Sequence, residues 1–392
     1  MPRKLGYVEG MRGVAALIVC LSHYLQIFLP AVYEGEAAKS WGVGERVFET
    51  SPANVLLNPN FAVCLFFVLS GYVLGHGFLA TGDPERIWFA AVKRFPRLML
   101  PVLGSVLFTW GLLTAGAFHY GDVRPLTGAI MPDYFAVPRS FCYAVAEGSF
   151  GTFFAGDISL NPVLWTIRIE FFGSFLVFFL LAVFRRRRDR WLGYGAAAIF
   201  LYDSYYLAFP LGLALASLPA PPAGRRWVAA VLAVIGLALG SYPYFGAEHG
   251  FWRFLPTPGD ALPIVFHHSL GAVCLLAATH FAPPGVRAGF DRAVFRFLGR
   301  VSYGLYLIHF AVLAALPTWL VLLLAPAVGY LPAVALAFVP TLPAVLAAAY
   351  GFAWAVDEPA TRFAGRLAER ILAGLRAMRR GPADIAAAGR LK

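Results

Sequence analysis

Apolar residues come in long blocks along this chain, and charged residues gather in the short stretches between them. A helix that crosses a bilayer needs roughly 20 mostly apolar residues. On that measure the pattern predicts ten spans, at about 11–31, 60–80, 98–118, 162–184, 191–204, 205–222, 227–246, 261–282, 299–324 and 331–356. The fifth and sixth are short and meet at "YDSYY" (202–206), so eight or nine spans also fit there. The expected fold is all-α, a polytopic bundle of about ten transmembrane helices over residues 1–358. Residues 359–392 follow as a tail, with apolar residues at helical spacing and arginines between them. That pattern predicts a basic amphipathic helix lying on a membrane surface. Two segments between spans are long, about 32–59 and 119–161. The second is rich in aromatics and glycine ("DYFAVPRSFCYAV", "EGSFGTFFAG") and reads either as a re-entrant segment or as an ordered cap.

Composition agrees with the pattern. Hydrophobic residues make up 59% of the chain and charged residues only 14%, with a mean hydropathy of +0.69. Soluble domains carry close to a quarter charged residues, so one soluble core cannot hide this much apolar surface. The net charge of +11 is a topology signal. With the N-terminus placed in the cytoplasm, 25 basic residues fall on cytoplasmic segments and five on outer ones. Such asymmetry orients membrane proteins, with both termini cytoplasmic here, and it argues against a nucleic-acid partner. The four cysteines are scattered without metal-ligand or disulfide-framework spacing. The first apolar stretch is long and lacks a small-residue cleavage site, so it reads as a retained helix. The alanine, glycine and arginine bias suits a GC-rich bacterial genome, and the expected location is the bacterial inner membrane.

Ionisable residues inside spans change the picture, because each costs roughly 2.5–3.5 kcal/mol at a helix centre and so marks function by default. In "EGMRGVAALIVCLSHYLQ" (9–26), Arg12 and His23 are eleven residues apart. At 1.5 Å and 100° per residue they lie roughly 16 Å apart along the axis and about 20° apart around it. They share one face, with Arg12 at the inner boundary and His23 past the middle. Arg12 alone also suits a plain anchor, and His23 alone a satisfied bundle histidine. Together they outline a polar groove. Arg94 and Arg97 in "VKRFPRLMLP" share a helix face and suit phosphate binding as well as anchoring. Glu170 in "NPVLWTIRIEFFGSF" needs a partner from another helix, since Arg168 points elsewhere, and the segment is placed at the outer end of the fourth span. Ser302 and His309 share a face of the ninth span and read first as helix–helix hydrogen bonding. The glycines of "VLSGYVLGHG" suit close helix packing. Metalloprotease, serine-hydrolase and nucleotide-loop motifs are absent, and no metal site is expected.

Six stretches, in order over residues 5–363, resemble the acyltransferase-3 family of integral membrane O-acyltransferases. These are the Arg12/His23 pair, "LFFVLSGYVLG", "VKRFPRLMLP", "NPVLWTIRIEFF", "VSYGLYLIHF" and "VDEPATR". Arg168 departs from the family pattern, where a small, apolar or aromatic residue is more usual. The resemblance implies transfer of an acyl group, usually acetyl, from cytoplasmic acyl-CoA (acetyl-CoA) to a hydroxyl of an envelope carbohydrate or lipid-linked acceptor. Acyl-CoA is then a co-substrate, and no bound cofactor is implied. On this reading His23 is the general base, with a transient acyl-imidazole as the second option. Arg12, Arg94 and Arg97 take the CoA phosphates. Glu170 orients His23 or pairs with an arginine. The competing class is a secondary transporter or flippase for a lipid-linked sugar, which also needs intramembrane Arg, His and Glu. The lack of an internal repeat weighs against it.

Overall fold

Each predicted block contains a helix, and the caps follow from local sequence. The computed structural model describes residues 5–34, 38–184, 187–219, 225–259 and 262–379. Arg3, Lys4, Arg185, Arg186 and tail residues 380–392 lie outside the described residues. Helix α1 (Gly6–Phe28) carries Glu9 in its first turn, favourable at the positive helix end, and stops before Pro30. Helix α2 (Pro59–Leu79) has Pro59 in its first turn, and Asn58 caps it by accepting the Phe61 N–H at 3.0 Å. Helix α3 (Glu85–Thr114) is about 45 Å long at 1.5 Å per residue, so it outruns a roughly 30 Å hydrocarbon core. Helix α4 (Trp165–Val183), α5 (Arg187–Phe200), α6 (Tyr205–Ser217), α7 (Arg226–Gly240) and α8 (Pro263–Phe281) follow. Helix α9 (Ala293–Val328) ends at Gly329, whose φ of +84° disfavours a side chain. Helix α10 (Tyr330–Phe352) runs through a π turn (Ala353–Asp357) into α11 (Glu358–Arg379).

Among the described residues there are helices and turns and no strands, as expected of an all-α membrane protein. Seven helices among the described residues are long and apolar enough to cross a membrane. The other three expected spans correspond to α5, α6 and α7. At 1.5 Å per residue these reach only about 20 Å, less than a full crossing. Of the expected tail, the described residues 359–379 lie in α11, which continues from α10 through the π turn. Its Ala360, Ala364 and Ala368 are buried, α11 packs along α3, and Arg376 bonds Glu85 at 2.5 Å.

Two glycine pairs let helices touch backbone to backbone. A Cβ on Gly13 of α1 would lie 2.5 Å from the Leu298 carbonyl carbon, and one on Gly299 of α9 would lie 2.6 Å from the Glu9 oxygen. Helices α1 and α9 therefore meet closely where Arg12 sits. In the glycine-rich second span, a Cβ on Gly71 would lie 2.2 Å from the Phe209 oxygen, and one on Gly212 of α6 would lie 2.0 Å from the Val68 oxygen. Small residues give such contacts in membranes.

The segment between α3 and α4 re-enters the bundle. At its entrance Trp110 Nε1 donates to the Arg139 carbonyl at 2.9 Å. Phe141–Ala146 and a π-helical stretch, Glu147–Ala155, then run down α3 until Phe150, Phe153 and Phe154 surround Phe95, with ring separations of 6.0, 5.3 and 6.0 Å. Trp110 and Phe95 are fifteen residues apart on α3, roughly 22 Å. Buried Glu147 closes this hairpin by accepting the Leu160 N–H at 3.0 Å. Asn161 Nδ2 then donates to Leu307 O at 2.8 Å, near the middle of α9. Helix α4 therefore starts inside the bundle. This places Asn161, Trp165 and Glu170 deeper than the expected outer end of the fourth span. A cap and a hairpin have the same composition, so the residues alone did not separate them.

Candidate active site

The deep start of α4 brings Glu170 to the level of Arg94, and the close approach of α1 to α9 brings Arg12 to the same place. Together they line a cavity of about 800 Å³ bounded by α1, α2, α3, α4, α9 and the α10–α11 junction. Six arginines and four carboxylates line it: Arg12, Arg94, Arg97, Arg296, Arg300 and Arg362 against Glu9, Glu170, Asp357 and Glu358. The cavity is therefore formally positive.

Glu170 accepts from Ser70 Oγ at 2.7 Å and forms an ion pair with Arg94 through the same oxygen. Both charged side chains are only 14% exposed, so neither charge is well hydrated and each depends on the other. Of the two roles expected for Glu170, the arginine pair is the one formed. No hydrogen bond joins it to His23 among the described residues. Arg168 lies on another face of α4, with its guanidinium against Gly156. Arg97 forms an ion pair with Asp357 at 2.6 Å and lies over the Tyr303 ring at 5.1 Å. Arg300 bonds Glu358 at 2.7 Å near the rim. Arg94 and Arg97, both expected to bind phosphates, thus already hold carboxylates. Arg12 has no carboxylate partner among the described residues, and its Nε is buried without a hydrogen bond. Arg94 Nε and Arg97 Nη1 are likewise buried without a hydrogen bond, so what sets Arg12 apart among the three expected phosphate ligands is the lack of a carboxylate partner among the described residues.

His23 does not line this cavity. Its Nδ1 lies 2.9 Å from Val19 O and 3.1 Å from His309 Nε2, and the two imidazole rings are 5.0 Å apart. His309 Nδ1 lies 2.9 Å from Leu305 O and 2.8 Å from Tyr306 O. Tyr306 and Phe66 line the deep end of the cavity, and the Tyr306 ring is 6.0 Å from that of His309. The Tyr306 hydroxyl is held by Thr166 at 2.7 Å and by Val163 O at 3.0 Å. On the far side of the histidines, Phe310 contacts Tyr134 and Phe135 of the 119–161 segment. The histidine pair therefore stands between an arginine-lined cavity at the N-terminal end of α1 and the loops at the other end. The structure gathers Arg12, Arg94, Arg97 and Glu170 around one cavity and sets His23 beyond its end.

Asp357 and Ser70 were not singled out by sequence reasoning, and His309 was read as structural. The signal for His309 was present: an ionisable residue in the apolar run "GLYLIHF". Among the described residues no group of three or more His, Cys, Asp or Glu could hold a metal ion.

The profile of the acyltransferase-3 family, described as an acyltransferase domain, matches residues 5–355. The chain is 23% identical to "Acyltransferase R4" of Phoma sp. (strain ATCC 20986 / MF5453), over 79% of this chain and 82% of that protein. It is 24% identical to "Acyltransferase clz18" of Cochliobolus lunatus, over 78% and 81%. It is 25% identical to "O-acetyltransferase PaAT-1" of Phomopsis amygdali, over 79% and 72%. No solved structure matches the chain.

Proposed function

The chain belongs to the acyltransferase-3 family of membrane O-acyltransferases, and from that premise we propose that it moves an acetyl group from cytoplasmic acetyl-CoA to a hydroxyl of a carbohydrate or glycolipid of the cell envelope. The observation that carries this reading is the positive cavity that ends at Tyr306, one ring away from the histidine pair. CoA is a polyphosphate with a long, uncharged pantetheine arm. Arginine binds phosphate oxygens bidentately, and the cavity supplies six. Arg12 takes phosphate directly, while Glu170 and Asp357 hold Arg94 and Arg97 in place. The roughly 16 Å between Arg12 and His23 suits an extended arm, which leaves the nucleotide at the rim and the thioester at the deep end. The basic bias of the segments at this end of the bundle supports its cytoplasmic placement in a bacterial inner membrane. The relative whose name specifies an O-acetyltransferase supports acetyl as the group moved.

In this reading the acceptor hydroxyl approaches from the side of the 119–161 segment. His23 Nε2 takes its proton as the oxygen attacks the thioester carbonyl carbon. The C–S bond breaks, and the departing thiolate recovers the proton from His23. An O-acyl ester and free CoA leave, and no CoA crosses the membrane. The test is comparative mass spectrometry of glycan and lipid extracts from cells with and without the protein. The expected result is one class of envelope molecule that carries an acetyl increment only when the protein is present. Identical extracts, from cells in which the protein is inserted and folded, would count against an envelope acceptor.

A further inference from the structure

We propose that His309 is the positioning residue for His23: it fixes the His23 tautomer and holds the proton on Nδ1 so that Nε2 is the free base. The inference rests on the reading of His23 as base given above. It starts from the two carbonyl oxygens at His309. Leu305 O and Tyr306 O lie 2.9 and 2.8 Å from His309 Nδ1. Carbonyl oxygens only accept, so that nitrogen carries hydrogen. Neutral imidazole has a single N–H, and His309 Nε2 is then a lone pair. That lone pair faces His23 Nδ1 at 3.1 Å. Two lone pairs at that separation repel, so His23 Nδ1 must carry hydrogen. Val19 O at 2.9 Å from the same nitrogen demands the same. The remaining nitrogen, His23 Nε2, keeps its lone pair and has no hydrogen-bond partner among the described residues.

The consequence goes beyond orientation. When His23 accepts a proton at Nε2 it becomes a cation inside the bundle, and no carboxylate contacts either ring among the described residues. The Nδ1–H then becomes a charge-assisted donor to the His309 lone pair, which is stronger than the neutral bond. This gain is realised as charge develops on His23, so it lowers the barrier instead of tightening substrate binding. The same logic assigns a base's tautomer to the group on its other nitrogen.

Three substitutions separate this role from a structural one. His309→Gln keeps an acceptor oxygen near the position of Nε2. His309→Asn keeps a donor near the position of Nδ1, for the Leu305 and Tyr306 carbonyls, but is too short to reach His23. His309→Phe removes both. The measurement is thiol release from acetyl-CoA by purified protein in lipid nanodiscs, with a lipid and glycan extract of the expressing cells as acceptor. His309→Asn and His309→Phe are expected to lower kcat roughly 100-fold with KM for acetyl-CoA unchanged, and His309→Gln to retain at least about tenfold more activity than Asn. A purely structural role predicts the opposite order, with Asn above Gln. Wild-type kcat in His309→Asn, or Asn equal to Gln, would overturn the proposal. His23→Ala is the companion measurement. Full activity there contradicts His23 as base, whereas an inactive His23→Ala beside an active His309→Asn sinks only the role of His309.

Discussion

The Arg94–Glu170 pair is the most consequential energetic feature of the cavity, and its strength is measurable by a double-mutant cycle. Both side chains are 14% exposed, and Glu170 accepts from Arg94 and Ser70 through one oxygen. At an effective dielectric near 20, two unit charges 4 Å apart interact by about 4 kcal/mol. Removing one partner of a buried pair costs about 3–5 kcal/mol, because the other charge stays buried and uncompensated. Glu170→Leu leaves the Arg94 guanidinium in that state, and Arg94→Leu does the same to the carboxylate. The double variant leaves neither charge. Each single substitution is expected to destabilise by about 3 kcal/mol or more, and the double by roughly 2 kcal/mol or less. The coupling is then at least about 4 kcal/mol, well above the roughly 0.5 kcal/mol scatter of independent sites. Unfolding by SDS titration in mixed micelles, followed by tryptophan fluorescence, measures all four corners of the cycle. Additive single effects would refute the buried-pair account.

Arg12→Lys keeps the charge but loses the bidentate fork, and is expected to raise KM for acetyl-CoA about tenfold with little change in kcat. Steady-state kinetics with acetyl-CoA varied is the check, and a change confined to kcat would place Arg12 in the chemistry instead. Gly299→Val puts a Cβ 2.6 Å from the Glu9 oxygen, which forces α1 and α9 apart. An overpacking cost of about 1–3 kcal/mol, read as a lower Tm, is expected together with weaker acetyl-CoA binding. Glu49, in the segment that follows α1, is pushed up to about 7 by burial, against the opposing pull of the Phe245 N–H and Arg46. A carboxyl raised in the folded state opposes folding once pH exceeds its unfolded value, and that penalty is complete above about pH 7. Glu49→Gln is therefore expected to raise Tm at pH 8 more than at pH 5. Differential scanning fluorimetry at the two pH values checks the sign.

Much of this architecture is legible in single stretches of sequence. The long helices follow from apolar runs of sufficient length, and the Gly71 contact follows from the glycines around it. Arg12 and His23 share a helix face by arithmetic alone. Relations between stretches were not legible in the same way. Glu170 needed a partner, but Arg94 lies 76 residues away, and only the deep start of α4 selects it. Asp357 claims Arg97 across an even longer separation, and neither apolar periodicity nor local spacing marks such a pair. The fifth and sixth spans were already short in the sequence, but the short length of α7 escaped because mean apolarity fixes helix type better than helix ends. His309 was visible as a residue but not as a partner of His23. That relation depends on the packing of α1 on α9, set by Gly13 and Gly299.

The central claim is acyl transfer by His23 from a donor held at the arginines. Its most direct test uses acetyl-CoA labelled in the acetyl carbon, purified protein in nanodiscs and an envelope extract as acceptor. The account predicts label in the extract with the wild-type protein. It predicts loss of that label in His23→Ala, while acetyl-CoA binding persists by isothermal calorimetry. Label transferred by His23→Ala at the wild-type rate, or no label transferred by a folded wild-type protein, would contradict it.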